Sequence, residues 1–229
     1  MPEHIGIVAC SAEGAALCYR TICQEGQPRM GRHDHPEVSM HTHSLGQYMR
    51  FIEAGDWPGV AGLMISSAGK LAAAGADFLI CPDNTIHQAF DAVTAKTSRP
   101  WLHIAEEVAT EARRRGHRRL GILGTRYLME GPVYADKLAE LYLEHAIPGK
   151  EQRRRINDII FSELVRGRFT DASRSFFYGV IQELKGAGCD AVVLGCTEIP
   201  LLVTPELSPL PVLDSTRLLA RAALRRATR

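Results

Sequence analysis

The sequence predicts an α/β protein of two pseudo-symmetric lobes, each a mostly parallel sheet flanked by helices, with an active site in the cleft between them. Three observations predict it. Short apolar runs alternate with amphipathic stretches of helical length. The segment beginning at Leu71 is repeated in outline from Leu184. With 229 residues, 45% of them hydrophobic, the chain can fill one large core or two small ones.

The strand candidates, in order, are Ile5 to Ala9, Phe78 to Cys81, Leu120 to Leu123, Ala191 to Leu194 and Pro211 to Leu213. They are short, apolar and mostly bounded by Gly, Pro or Asp, as strands covered on both faces are. Between them Leu45, Met49 and Ile52, then Val60, Leu63, Met64 and Leu71, and later Leu138, Leu141 and Tyr142 recur at the three-to-four spacing of helices that face a sheet. Strands alternating with such helices imply right-handed crossovers and parallel pairing.

LAAAGADFLICPDNTIH lies over LKGAGCDAVVLGCTEIP at an offset of 113, which places Gly75 on Gly188, Asp77 on Asp190, Asp83 on Cys196 and Asn84 on Thr197. IGIVAC, ending at Cys10, lies over LGILGT, ending at Thr125, at an offset of 115. Any two βα units share Gly-ended helices and apolar strands, so chance similarity is the competing explanation. Two nearly equal offsets favour duplication. The first lobe would comprise residues 1–99 plus 208–229 and the second 100–207, the final strand and the basic helix from Ser215 returning to the first.

Lys and Arg number 27 against 26 Asp and Glu, so no net field draws the chain toward nucleic acid or a membrane surface. A small molecule is the expected partner. Six cysteines without CxxC pairs point to a reducing, cytoplasmic setting. No export signal or run of 18 apolar residues is expected to take the chain into a membrane. Neither GxGxxG nor GxxxxGK[ST] occurs, which removes the main nucleotide signatures.

Ligands of open α/β sheets bind beyond the carboxyl ends of strands. Four loops qualify: Cys10 to Glu13, Pro82 to Thr85, Gly124 to Arg126 and Gly195 to Glu198. Lobes duplicated at offset 113 would bring Asp83 and Cys196 to face one another, one proton carrier on each side of a carbon stereocentre. Asn84, Thr85 and Thr197, with nearby backbone N–H groups, would hold a substrate carboxylate, with Thr125 and Ser11 adding donors. A buried cysteine is the alternative for Cys196, and an N-cap or Asx-turn role, compatible with a chemical one, is the alternative for Asp83. His33, His35, His41 and His43 raise a zinc site, but no acidic or thiol ligand stands at a fixed spacing beside them, so no metal is expected. His43 and Thr42 read instead as substrate contacts. The Arg113 to Arg115 and Arg153 to Arg155 runs read as solvated helix faces.

IGIVACSAEGAALCYRTI, LGILGTRYLMEGPVY, INDIIFSELVRG and LGCTEIP together resemble the aspartate/glutamate racemase superfamily over most of the chain. The resemblance implies two pseudo-symmetric lobes, racemisation by two facing thiols without pyridoxal phosphate or metal, and often a homodimer. It assigns Cys196 to the second thiol, and Asn84, Thr85, Thr197 and Glu198 to the substrate pocket. Arg166, in ELVRG, would contact the substrate's side-chain carboxylate. Where such relatives commonly read CNT, this chain reads Asp83-Asn84-Thr85, so a carboxylate replaces the first thiol. The resulting expectation is a cofactor-independent racemase of an acidic amino acid. The alternatives are one-thiol chemistry, such as a decarboxylase or isomerase of a small carboxylate, and a non-catalytic carboxylate-binding protein.

Overall fold

The computed structural model describes residues 1–229. The chain forms two compact units, Met1–Ile104 with Thr216–Arg229, and Ala105–Ser215. The strands are β1 (Ile5–Ala9), β2 (Val38–Thr42), β3 (Phe78–Ile80), β4 (Trp101–Leu102), β5 (Arg119–Leu123), β6 (Glu144–Ala146), β7 (Ala191–Leu194) and β8 (Val212–Asp214). The helices are α1 (Ala12–Met30), α2 (Leu45–Ala54), α3 (Trp57–Ala73), α4 (Phe90–Thr94), α5 (Ile104–Arg114), α6 (Arg126–Glu130), α7 (Val133–Ala139), α8 (Lys150–Ser162), α9 (Asp171–Gly186), α10 (Ile199–Leu202) and α11 (Ser215–Ala227). None is long and apolar enough to cross a membrane.

Each unit holds a four-stranded, wholly parallel sheet, ordered β2-β1-β3-β4 in the first and β6-β5-β7-β8 in the second. The two orders are the same. Ile5 pairs with Phe78, and Leu120 with Ala191, which reproduces both offsets of the sequence echo at once. The details repeat too. Asp77 accepts the His4 N–H at 2.7 Å, and Asp190 accepts the Arg118 and Arg119 N–H groups at 2.8 and 3.3 Å, so each carboxylate clamps the start of the neighbouring strand. Gly75 and Gly188 take φ of +94° and +88° and close α3 and α9 with the Schellman pair of bonds: Ala76 N–H to Leu71 C=O with Gly75 N–H to Ala72 C=O, and Cys189 N–H to Leu184 C=O with Gly188 N–H to Lys185 C=O.

In the first unit Ile5, Ile7, Phe78 and Ile80 pack with Ile22 of α1 and with Leu219, Ala220 and Ala223 of α11. In the second, Leu123, Val192 and Leu194 pack with Ile156, Ile159, Phe177 and Ile181. Each fully buried aliphatic or aromatic side chain contributes about 1.5–3 kcal/mol, and a one-residue slip would send each set to the opposite face of the sheet, against helices shaped for other side chains.

Some expectations are corrected. The strand near 211–213 is β8, and Leu194 pairs with Asp214, so it extends the second sheet rather than returning to the first lobe with residues 208–229. Of residues 208–229 only Thr216–Arg229 joins the first unit, and Trp101–Leu102, expected in the second lobe, form β4 of the first sheet. The stripe through Leu138 breaks because α7 ends at Ala139: Tyr142 takes φ of +57°, and the Leu143 N–H bonds the Leu138 C=O at 2.9 Å, turning the chain into β6. Tyr142 is consequently 90% exposed. The strands β2, β4 and β6 had no counterpart among the expected ones. All three are sheet edges, where a polar run such as Val38-Ser39-Met40-His41-Thr42 gives no continuous apolar signal.

Candidate active site

In the first unit Ser11 follows β1, Thr42 ends β2, and Asp83, Asn84 and Thr85 follow β3. Parallel pairing brings them to the same end of the sheet, beyond the carboxyl ends of its strands. Ser11 Oγ accepts the Gly14 N–H at 3.3 Å as the N-cap of α1. Thr42 is exposed, and its hydroxyl donates to the His43 carbonyl at 2.7 Å. Asn84 and Thr85 are buried.

Asp83 is half-buried. Its Oδ1 accepts the Ile86 N–H at a long 3.4 Å, an Asx-type bond from the residue before Asn84, which is the N-cap of the 3₁₀ turn Thr85–Ala89. The loop is fastened by a residue that the sequence reading passed over. His87 donates Nδ1–H to the Asp83 carbonyl at 2.7 Å, while its Nε2 accepts the Ile104 N–H at 3.3 Å. These two bonds require the neutral Nδ1–H tautomer. Complete burial, then His103, holds the imidazole pKa well below its ordinary value, and Phe90 stacks on the ring at 5.3 Å. The signal lay in the sequence as the last letter of Asp-Asn-Thr-Ile-His, but a lone histidine after an apolar residue has no periodic signature. Cys81 is fully buried, and burial, then Asp83, pushes its thiol up. It is a core thiol.

In the second unit Thr125 follows β5, and Cys196, Thr197 and Glu198 follow β7. Thr125 Oγ1 accepts the Leu128 N–H at 3.2 Å as the N-cap of α6. The two loops meet backbone to backbone: the Gly195 N–H donates to the Leu123 carbonyl at 2.7 Å. A Cβ on Gly195 would stand 2.9 Å from that oxygen, and one on Gly124 3.1 Å from the Gly195 oxygen. Only glycine admits this approach.

A turn closed by Ile199 N–H to the Cys196 carbonyl at 3.2 Å then folds Glu198 back over Cys196. The Cys196 S–H donates to Glu198 Oε2 at 2.9 Å, and the Thr197 hydroxyl donates to the same oxygen at 2.8 Å. Cys196, Thr197 and Glu198 are 9%, 4% and 3% exposed. Sulfur and carboxylate therefore form a direct acid–base contact out of bulk water, where such hydrogen bonds are strong. Arg166 is not part of this group. It is exposed at the end of the 3₁₀ turn Leu164–Arg166, and its side chain bonds none of these residues.

The histidines of β2 and its loop engage side chains of α3. His41 Nδ1 meets Ser67 Oγ at 3.0 Å and its Nε2 meets Lys70 Nζ at 2.9 Å, while His43 Nε2 meets Ser66 Oγ at 3.2 Å. Burial, then Lys70, lowers the pKa of both rings.

The family model described as Asp/Glu/hydantoin racemase matches residues 5–223. A Yersinia pestis crystal structure assigned provisionally as an Asp/Glu racemase superposes with a TM-score of 0.91 at 31% identity, covering 99% of this chain and 100% of that one. The aspartate racemase homologue PH1733 from Pyrococcus horikoshii OT3 superposes at 0.86 with 27% identity, covering 100% of both chains. The broad specificity amino-acid racemase RacX of Bacillus subtilis strain 168 is 23% identical over 161 residues, 70% of this chain and 69% of RacX.

Proposed function

The chain belongs to the Asp/Glu/hydantoin racemase family, and on that premise we propose that it racemises an acidic amino acid by two-base proton exchange at Cα, with Asp83 and Cys196 as the catalytic pair. One observation carries the reading. The same place, just beyond the third strand of two identically ordered sheets, is occupied by Asp83 in one unit and by Cys196 in the other. Both side chains carry a transferable proton, and inversion at Cα needs one such group for each face.

When Cys196 takes the Cα proton, the C–H electron pair passes toward the substrate carboxylate and Asp83 delivers its proton to the opposite face. In the reverse direction Asp83 is the base and the thiol the acid. Asn84, Thr85 and Thr197, with Ser11, Thr42 and Thr125, are proposed to hold the substrate's polar groups and the enediolate-like charge. Arg166 is proposed as the contact to a side-chain carboxylate. The proposed reaction calls on no pyridoxal phosphate and no metal. The setting proposed is the cytoplasm and the assembly a homodimer, the latter read by sedimentation.

The test is a panel of L- and D-amino acids in deuterium oxide, with Cα exchange followed by NMR after dialysis against a chelator. The panel includes aliphatic and basic amino acids because RacX is named for broad specificity. Exchange with aspartate or glutamate above the others supports the acidic assignment. Exchange confined to other side chains replaces it. No exchange with any amino acid, alongside measurable carboxylate binding, would return the binding-protein reading.

A further inference from the structure

Glu198 was expected to line the substrate pocket, but its carboxylate already accepts both the Cys196 thiol and the Thr197 hydroxyl on one oxygen. We propose that Glu198 is the proton partner of Cys196, so that sulfur works as the relay atom of a carboxyl–thiol dyad; this rests on the reading of Cys196 as a proton carrier.

The need for such a partner follows from ordinary acidities. A thiol titrates near 8.5 and a carboxyl near 4, so a lone carboxyl and a lone thiol on opposite faces of Cα are mismatched by about 4.6 pKa units for an aspartate. A free thiolate beside an ionised carboxylate would be worse still, two anions at a contact of 2.9 Å with little water. The dyad avoids that form. As the Cα–H bond breaks, its proton bonds to Sγ, and the proton that Sγ carried passes to Glu198 Oε2; the electron pair of the broken bond stays on the substrate. In the other direction Oε2 returns its proton to Sγ while Sγ gives its own to Cα. Bonds and protons balance within each step, and no co-reactant enters. The acid that must match Asp83 is then another carboxyl, reached through sulfur. Thr197 holds Oε2 in place by its second hydrogen bond.

Glu198→Gln keeps the shape and cannot store the proton. The thiolate of Cys196 is read directly, by ultraviolet absorbance against pH, as the difference between a protein and its Cys196→Ser counterpart. Replacing the carboxylate removes a neighbouring negative charge, so thiolate in Glu198→Gln is expected at a pH lower by about one unit or more. The kcat for Cα exchange should fall roughly 10²-fold with KM unchanged. Glu198→Asp, which keeps the acid on a shorter arm, should shift the titration less and recover part of kcat. It also serves if the glutamine variant folds poorly. An unmoved thiol titration in both variants overturns the dyad, and so does a raised KM with kcat intact, which would make Glu198 a substrate contact. If the wild type exchanges no amino acid at all, the racemase reading fails separately, and the shift in thiol titration still decides whether carboxyl and thiol share a proton.

Discussion

His87 donates its Nδ1–H to the backbone carbonyl of Asp83 at 2.7 Å, so the loop that carries the proposed acid–base carboxylate is tied to a fully buried neutral imidazole. Folding holds this histidine unprotonated. The unfolded chain takes up its proton near pH 6.5, whereas the folded chain does so only at lower pH. Stability is therefore fully present above about pH 6.5 and is lost as pH falls from there toward the folded value, by up to about 1.4 kcal/mol per pH unit for each such group. His41 and His43 act in the same direction.

Melting temperature against pH should consequently drop for the wild type on the acid side, and His87→Asn should show a lower melting temperature at pH 8 but a shallower acid drop. Its loss at pH 8 is expected at about 1–3 kcal/mol, from leaving the Ile104 N–H or the Asp83 carbonyl without its partner. Parallel curves for the two proteins would mean that the folded chain protonates His87 readily.

Cys196→Ser should reduce Cα exchange by roughly 10³-fold or more, because a hydroxyl at the same place is a far weaker acid than a thiol. It retains a donor for Glu198 Oε2, so unfolding free energy should change by less than about 1 kcal/mol. Near wild-type exchange would remove Cys196 from the mechanism.

Asp83→Cys separates the sequence-level reading from the structural one. A carboxyl facing a lone thiol leaves one working protonation form about 6 kcal/mol above the other, so a second thiol at position 83 should raise the rate. If Glu198 shares the proton of Cys196, the matched pair is carboxyl with carboxyl, and the substitution creates the mismatch. We expect racemisation of aspartate or glutamate to fall at least about tenfold. A rise would count against the dyad while leaving Cys196 in place.

Gly195→Ala should cost about 1–3 kcal/mol, since its Cβ meets the Leu123 carbonyl at 2.9 Å and Leu128 Cδ2 at 2.5 Å, and backbone cannot swing aside as a side chain can. Gly69→Ala, where a Cβ has open space, provides the control and should be neutral or slightly stabilising. Equal melting temperatures for the two variants would show that the Gly124 and Gly195 loops tolerate separation.

The sequence by itself determined the central strands, the helices α2, α3 and α11, and the duplication. Ile5 to Ala9, Leu120 to Leu123 and Ala191 to Leu194 are buried on both faces, and double burial writes itself into the chain as an unbroken apolar run. The equivalence of Asp83 with Cys196 was legible for the same reason, as an offset that the paired registers reproduce. Tertiary structure alone decided what depends on partners distant in sequence or on how a turn folds back. Edge strands such as β2 are held by one neighbour and need no apolar run, and β8 was assigned to its sheet by the Leu194 to Asp214 pairing, not by its composition. Whether Glu198 faces a substrate or the thiol two residues before it depends on a turn's dihedral angles, and a letter string carries no record of them. The two bonds that tie His87 to Asp83 and Ile104 form only when the chain ends of β3 and β4 lie side by side in the folded sheet.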